Sequence, residues 1–499
     1  MFEGIRNLFR KAGAKIGMNG SLIDVTDDNR VNMPISEYKR IAKDFRFYRN
    51  DYDSITEHVG KNIHRRKLHT VNMTKTAARR LASIIFNEKA KVSFGDEAVN
   101  DYIDEVFTDN DFYNQFETNL ERGIVAGGFA MRPYVDNGKI KISWIRADQF
   151  YPLRSNTNNI PECAIVSKTQ QIENHTVIYY SLLEFHQWDE QGNYVITNEL
   201  YRSDNKSVIG YRVPLDRIYK DLQDQTNFGP MYRPLFAYFH TPGANNISLE
   251  SPLGVGIVDN ARGELKDINM INDAMQREIR YGKRRIVVPE QMLKIDEVHE
   301  PYFDPEDPTY IGFNGDDLKI TDVTSDMRIE QLKSAMDYAL RKFEVQIGLS
   351  AGTFSYDESG LKTATEVVSD NSMTYQTRSS YLTMVEKAIK ELCTSILELA
   401  NYNGLFKYNV ANNDPEFHIY FDDGLFVDKD KQLDEDLKST AALAMPKKQF
   451  LIRNYGLSDD EANEWLQQTY QEQREQMNLT SSLQEETTNP DGDDDVGAD

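Results

Sequence analysis

Hydrophobic and polar positions change period several times along this 499-residue chain, and each change marks an element. From about Ile35 to Phe86 the pattern is polar with mostly helical spacing. "KNIHRRKLHTVNMTKTAARRLASIIF" runs there from a basic cluster (Lys61, Arg65, Arg66, Lys67) into a helix ending in Leu81, Ile84, Ile85 and Phe86. Another helix is predicted from about Asp111 to Val125. The period then falls to two. "GGFAMRPYVDNGKIKISWIRADQFYPL" alternates on either side of Asn137-Gly138, a strong hairpin signal. "TVIYYSLLEFHQW", a turn around Gln191-Gly192-Asn193, "YVITNELYR" and "SVIGYRVPL" continue the strands. Residues 129 to about 240 therefore read as an antiparallel β-rich insertion in a helical protein, which makes the fold class α+β.

Helical spacing returns in "SPLGVGIVDNARGELKDINMINDAMQREIRYGKRRIVVP". Ile257, Ala261, Leu265, Ile268, Ile271, Met275 and Ile279 form an apolar stripe at three- and four-residue steps. A helix from Ile257 to Tyr281 would be roughly 38 Å long. It stops at Gly282, before Lys283, Arg284 and Arg285. Residues 283–326 carry short apolar runs and turn residues, which predict a small strand-containing module. A second helix, 327–347, has its stripe at Ile329, Leu332, Met336, Leu340, Phe343 and Ile347 and would be roughly 31 Å long. Two comparable helices around a small module make a pair of struts with a cap.

The next stretch, "GLSAGTFSYDESGLKTATEVV", is rich in Gly, Ser and Thr. The longest helix follows, 363–402, opened by the capping box Thr363 to Glu366 and stopped at Asn403-Gly404. Its apolar stripe (Leu382, Val385, Ile389, Leu392, Ile396, Leu399) covers only its second half. A polar front on a helix of roughly 60 Å implies that it crosses between layers or faces a neighbouring subunit. A hairpin-like segment, "LFKYNVANNDPEFHIYFDDGLF", and a last helical block, 428–478, complete the pattern, with a second capping box at Ser458 to Glu461. The end, "QEETTNPDGDDDVGAD", is acidic and is expected to be disordered over 479–499.

Composition narrows the classes. Hydrophobic residues make up 39% and charged residues 27%, and no window holds the run of roughly 18 apolar residues that a membrane helix needs. The start, "MFEGIRNLFRKAGAKIGM", is basic and weakly amphipathic without the apolar core of a signal peptide. Two cysteines, Cys163 and Cys393, fit a reducing compartment and exclude a disulfide framework. The net charge of −23 argues against a protein that grips nucleic acid over its whole surface, but not against one that lets DNA slide past.

Catalysis has no visible address. The Gly/Ser/Thr stretch has "GLKT" but lacks the GxxxxGK[ST] spacing and the preceding strand of a phosphate loop, and Asp357 and Glu358 stand where a phosphate would lie. His64 and His69 are five apart, which does not place both on one helical face, and the eight histidines read as structural or surface residues. The acidic groups Asp304, Glu306 and Asp307, Asp316-Asp317 and Asp422-Asp423 lack calcium-loop spacing and read as solvated. No metal and no cofactor are expected. The basic groups at 61–67 and 283–285 can contact phosphate or complete a helix C-terminus.

The order of an α+β body, "SPLGVGIVDNARGELKDINMINDAMQREI", a small module, a returning helix and "GLSAGTFSYDESGLKTATEVVSDNSMTYQTRSSYLTMVEKAIKEL" resembles the portal proteins of tailed bacteriophages, in the branch common among phages of Gram-positive bacteria. The likeness spans about residues 30 to 475. It implies a mainly helical portal fold: a β-rich wing (1–255, with 363–427 returning to it), stem helices at 256–282 and 327–347, a clip at 283–326, a tunnel loop at 348–362, a long wing-to-crown helix at 363–402 and a crown at 428–478. It implies a ring of about twelve subunits at one capsid vertex of the virion, assembled in the host cytoplasm. Double-stranded DNA would pass through it without sequence specificity. Terminase large subunit, head–tail adaptor, and major capsid and scaffolding proteins would be the other partners, with no membrane. On this reading Ser350, Thr353, Ser355, Tyr356, Asp357, Glu358, Ser359 and Lys362 line the channel, Lys283, Arg284 and Arg285 are basic groups at the stem–clip junction, and Asp304, Glu306 and Asp307 are acidic groups on the clip. Hydroxyls without fixed positive charge, beside two acids, suit a wall that DNA passes without sticking, since the duplex carries one charge per roughly 1.7 Å. The repulsion reaches only about 8 Å. The alternatives are a non-channel capsid or scaffolding subunit, or a packaging nuclease or ATPase; the latter needs phosphate- and metal-binding spacings that the chain lacks.

Overall fold

The structure, a computed structural model, describes residues 21–59, 62–86, 90–156, 159–282, 286–287, 294–296, 299–302, 321–322, 326–354, 372–408, 410, 417–421, 429–455, 457 and 459–486. The chain divides into two compact units, Met1–Gly360 with Asp370–Asp422, and Leu361–Ser369 with Asp423–Asp499. The first opens with strand β1 (Ser21–Leu22), helix α1 (Ile35–Tyr48), strands β2 (Ile55–Val59) and β3 (Asn62–Arg66), helix α2 (Met73–Ile85), strand β4 (Lys91–Phe94), and helices α3 (Glu97–Asp109) and α4 (Phe112–Ala126). Nine strands follow: β5 (Gly128–Asp136), β6 (Lys139–Arg146), β7 (Phe150–Asn156), β8 (Asn159–Glu173), β9 (Thr176–Trp188), β10 (Asn193–Ser203), β11 (Gly210–Val213), β12 (Gln225–Pro230) and β13 (Ala237–His240).

Every pairing in this region is antiparallel, as the alternation predicts. A seven-stranded sheet runs β1-β11-β10-β9-β8-β7, with β12 also on β10, and a three-stranded sheet runs β13-β5-β6. Asn137 and Gly138 both take positive φ, 49° and 74°, so the β5–β6 turn has the backbone hand that matches strand twist. The β8–β9 turn does the same with Asn174 and His175, at φ 48° and 64°. That turn contains no glycine, which hid β8 from the sequence reading.

The first unit continues with α5 (Arg262–Tyr281), short strands β14 (Ile286–Val287), β15 (Lys294–Asp296), β16 (His299–Tyr302) and β17 (Thr321–Asp322), then α6 (Ile329–Gln346), α7 (Ser372–Tyr402) and β18 (Phe417–Tyr420). β14 pairs with β17 and β15 with β16, so strands do occur between α5 and α6. Two main cores form. One joins α2, α3, α4, the three-stranded sheet and α7 around Phe107, Phe112, Phe116, Phe129, Phe239 and Cys393. The other joins α1 to the large sheet around Phe150, Leu183, Phe185 and Cys163. His186 is wholly buried, with its ring nitrogens 2.5 Å from the Tyr194 hydroxyl and 2.6 Å from Glu184 Oε1. Burial pushes the Glu184 carboxyl up, but Arg132 and His186 outweigh it and hold it down at about 2.

Five expectations change. The basic cluster at 61–67 is not itself helical: its residues 62–66 form β3, paired with β2, and the predicted helix ending in Leu81, Ile84 and Ile85 begins at Met73. α3 fills a span for which no element was predicted. The first strut helix begins at Arg262, not near Ile257: the Asp259 and Ala261 N–H groups close i to i+3 turns on Gly256 O and Val258 O (3.0 Å each). Before them the Ile257 N–H docks on the open carbonyl of Ile124 in the last turn of α4 (2.9 Å). "LGVG" makes that approach possible: a Cβ on Gly254 would lie 2.1 Å from Gly127 O, and one on Gly256 2.2 Å from Val125 O. The segment read as a hairpin near 405–426 instead gives β18, which pairs with the distant β4. In the second unit, α8 (Lys429–Ala441), α9 (Lys447–Tyr455) and α10 (Asp459–Glu486) pack through Lys447 over Tyr470 (5.9 Å), Tyr455 beside Trp465 (6.0 Å) and Asn454 Nδ2 on Asp436 Oδ2 (2.9 Å). α10 runs to Glu486, into the stretch expected to be disordered, because "LTSSLQEE" holds no helix breaker before Pro490. The capping residues Ser458 and Thr363 lie outside the described residues, as do Asp316, Asp317, Asp422, Asp423 and the first twenty positions.

Candidate functional site

α5 and α6 form an antiparallel pair. Arg328 at the start of α6 holds Glu278 near the end of α5 (2.9 Å), while at the other end Gln346 Nε2 donates to Asn260 O (3.2 Å). The Arg328 guanidinium pulls the Glu278 carboxyl down to about 2. The stripe predicted for each helix is buried only at one end. Leu265 and Ile268 on α5, with Ala261 just before it, and Leu340 and Phe343 on α6, with Ile347 just after it, belong to the core, whereas Ile271, Met275, Ile329, Leu332 and Met336 are half-buried and Ile279 is 53% exposed. A cleft of about 630 Å³ opens along the pair, bordered by Met73, Ile268, Met275, Met336, Leu340 and Phe354.

The buried end of α5 is fixed by charge. Arg40 on α1 lies 2.5 Å from Asp259 and 3.2 Å from Glu37, and donates to Gly254 O (2.9 Å). Arg262, the first residue of α5, donates to Asp44 (2.8 Å) and also pairs with Asp259. Asn245 and Ser251 complete the Glu37 carboxylate at 3.0 and 2.9 Å. Three acids against two arginines leave one excess negative charge if all ionise. Burial, and next the Asp259 carboxylate, push Asp44 up to about 8.

The β2–β3 hairpin braces α5 further along. Arg66 makes bidentate pairs with Asp273 (2.7 and 2.6 Å) and Glu57 (2.9 and 2.7 Å), and Arg277 also holds Glu57 (2.7 Å). The N–H groups of His69 and Val71 donate to Asp273 and Asn269. Of the basic cluster, Arg66 is thus engaged within the protein, while Arg65 and Lys67 face solvent.

α6 ends in a Schellman motif. Gly348, at φ 79°, donates to Val345 O (3.1 Å), and Leu349 donates to Glu344 O (2.8 Å). Leu349 is wholly buried, and a Cβ at Gly348 would lie 2.6 Å from the Thr377 hydroxyl. Ser350 was expected as a channel hydroxyl, but it is 5% exposed: its N–H donates to Thr374 Oγ1 (2.8 Å), and Thr374 N–H donates back to Ser350 Oγ (3.2 Å). The correction has a simple cause, since a buried hydroxyl beside another spends its hydrogen bonds internally. The Thr353 hydroxyl donates to Ser350 O (2.6 Å) and is half-buried. Glu344, buried in full, accepts from the N–H of Gly352 (2.7 Å) and of Phe354. The remaining expected channel residues (Ser355, Tyr356, Asp357, Glu358, Ser359, Lys362), the stem–clip group (Lys283, Arg284, Arg285) and the acidic group (Asp304, Glu306, Asp307) lie outside the described residues. Gly348 after the end of a stripe was a visible helix-stop signal; Glu344, Thr374 and the Arg40–Asp44–Asp259–Arg262 network carried none.

Among the described residues, no group of three or more His, Cys, Asp or Glu is set to hold a metal, and no helix is long and apolar enough to cross a membrane. The description "Phage portal protein, SPP1 Gp6-like" matches residues 34–475, and the chain belongs to that family. It is accordingly a structural, non-enzymatic component of the head–tail connector at the portal vertex of the virion. No curated protein sequence matches the chain. Among solved structures, it is similar to a chain of the neck of a native GTA particle computed with C12 symmetry, at 11% identity and TM-score 0.44, covering 83% of this chain and 93% of that one. It is also similar to a chain of the neck of an empty GTA particle computed with C6 symmetry, at 11% identity and TM-score 0.42, covering 75% and 89%.

Proposed function

We propose that copies of this chain close into a ring of about twelve around an axial channel for double-stranded DNA, used in packaging and ejection. α5 and α6 are the stem, 283–326 the clip that meets terminase large subunit and then the head–tail adaptor, and 348–362 the tunnel loop. The β-rich body is the wing, α7 the helix between wing and crown, and α8 to α10 belong to the crown. Major capsid and scaffolding proteins surround the wing. The observation that carries this reading, beside the family, is the burial gradient along the rods. Their apolar stripe is anchored at one end and only partly covered towards the other, as expected when neighbouring copies complete the packing. The composition of the loop supports it: Ser355, Asp357, Glu358 and Ser359 offer hydroxyls and short-range repulsion against a single cation, Lys362.

Negative-stain microscopy of the purified full-length protein tests the proposal. Closed rings with an axial hole wider than a duplex are expected. Filled shells, or monomers at every concentration tried, overturn it.

A further inference from the structure

The turn after α6 holds more hydrogen bonds than a helix stop requires. The Schellman closure already satisfies the last carbonyls of α6. One turn back, Glu344 places a fully buried carboxylate beneath the next residues, accepting from Gly352 N–H at 2.7 Å and from Phe354 N–H with its other oxygen. Each oxygen serves a separate amide. Beyond it, the Ser350–Thr374 exchange joins residues 24 apart, and the Thr377 hydroxyl donates to Gly348 O (2.7 Å) across 29 residues. The two feet of the connector, Gly348–Phe354 at its start and Ser372–Thr377 at its end, are therefore stitched to each other, while Glu344 sets the path of the first foot.

We propose that Glu344 is the positioning residue of the connector: its carboxylate fixes the heading with which the chain leaves α6, from Gly348 to Phe354. This rests on the reading of the connector as the lining of a DNA channel. Glu344 acts through the Gly352 and Phe354 amides and needs no contact with DNA. Carboxylate chemistry is specific to the task. It offers two acceptor oxygens and no donor, whereas a glutamine amide turns an N–H donor toward one of the two amides. Glu344→Gln should keep one bond and lose the other; Glu344→Ala should lose both.

Amide hydrogen exchange on the assembled full-length protein, read by mass spectrometry with electron-transfer fragmentation, tests the clamp. The expected result is exchange faster by about tenfold or more at Gly352 and Phe354 in Glu344→Ala, and at only one of them in Glu344→Gln, with α5 unchanged. In phage carrying each variant, the yield of DNA-filled heads should fall in the order wild type, Glu344→Gln, Glu344→Ala, while rings still form. Unchanged exchange at both amides overturns the inference. So does faster exchange with a wild-type yield of filled heads, because Glu344 would then only stabilise the turn. If Glu344→Ala does not fold, Glu344→Gln alone decides: faster exchange at one of the two amides with fewer filled heads supports the inference, and unchanged exchange at both, or a wild-type yield, overturns it. Wild-type protein that never forms rings refutes the channel reading instead, and the exchange arm still reports on the clamp.

Discussion

Asp44 is a wholly buried carboxylate with unequal oxygens. One carboxylate oxygen takes a hydrogen bond from Arg262 at 2.8 Å, while the other is buried without a hydrogen-bond partner, 3.7 Å from Arg40. Burial and Asp259 raise its pKa to about 8, far above the ordinary 3.8. The folded protein therefore keeps a proton that the unfolded chain releases. That contribution to stability is complete below the ordinary carboxylate range and is lost as pH rises towards 8. The melting temperature should fall between about pH 4 and about pH 8, and Asp44→Asn should flatten the profile, as differential scanning fluorimetry can show. A wild-type profile that is flat over the interval, or a variant just as steep, contradicts the assignment. Arg40 answers to a different rule: it compensates three acids, and removing one partner of such a buried network costs about 3–5 kcal/mol.

Helices and strands hold one another here through side chains that reach for loop backbone. Asp273 and Asn269 on α5 take the N–H groups of His69 and Val71, and Glu398 on α7 takes those of Tyr232 and Arg233. Arg66 ties the β2–β3 hairpin to α5 by the same means. Because its side chain is 28% exposed, the pair is worth only about 1 kcal/mol. Arg66→Ala should leave the fold intact but speed exchange across Ile55–Val59, most at low salt; equal protection in the variant counts against the brace. These ties explain what the sequence could and could not reveal. β9 and β10 are rich in β-branched and aromatic residues, β6 alternates, and Asn-Gly marks the β5–β6 turn, so the strands were legible. The hairpin was not, because "KNIHRRKLH" reads as a charge run until Glu57 and Asp273 are known to face it. Nor was the start of α5, which depends on a carbonyl contributed by α4. The struts themselves were legible from their stripes, whereas Ser350 looked like a solvent hydroxyl because nothing local announces Thr374 as its partner. Local pattern shows periodicity; it is blind to partners far along the chain.

At the scale of the whole molecule, the two rods leave the first unit with uncovered apolar side chains: Met270, Ile279, Met327, Tyr338 and Val345 are each at least half exposed. Burying one such side chain fully contributes about 1.5–3 kcal/mol, repeated at every contact of a closed ring. Met270→Asp with Ile279→Asp should abolish rings in native mass spectrometry while the monomer melts within about 2 °C of wild type, as surface changes usually do. Intact rings from that double variant would show that another face holds the copies together. One further feature has a practical use. Cys163, on β8 of the large sheet, sits in the core shared with α1, and Cys393, on α7, sits in the other core; both are free and buried, and burial pushes each thiol well above its ordinary pKa. An alkylating reagent can reach either sulfur only when its own core opens. The chain thus carries a separate internal clock for each half of its body, and wild-type protein can report which half loosens first without an engineered label.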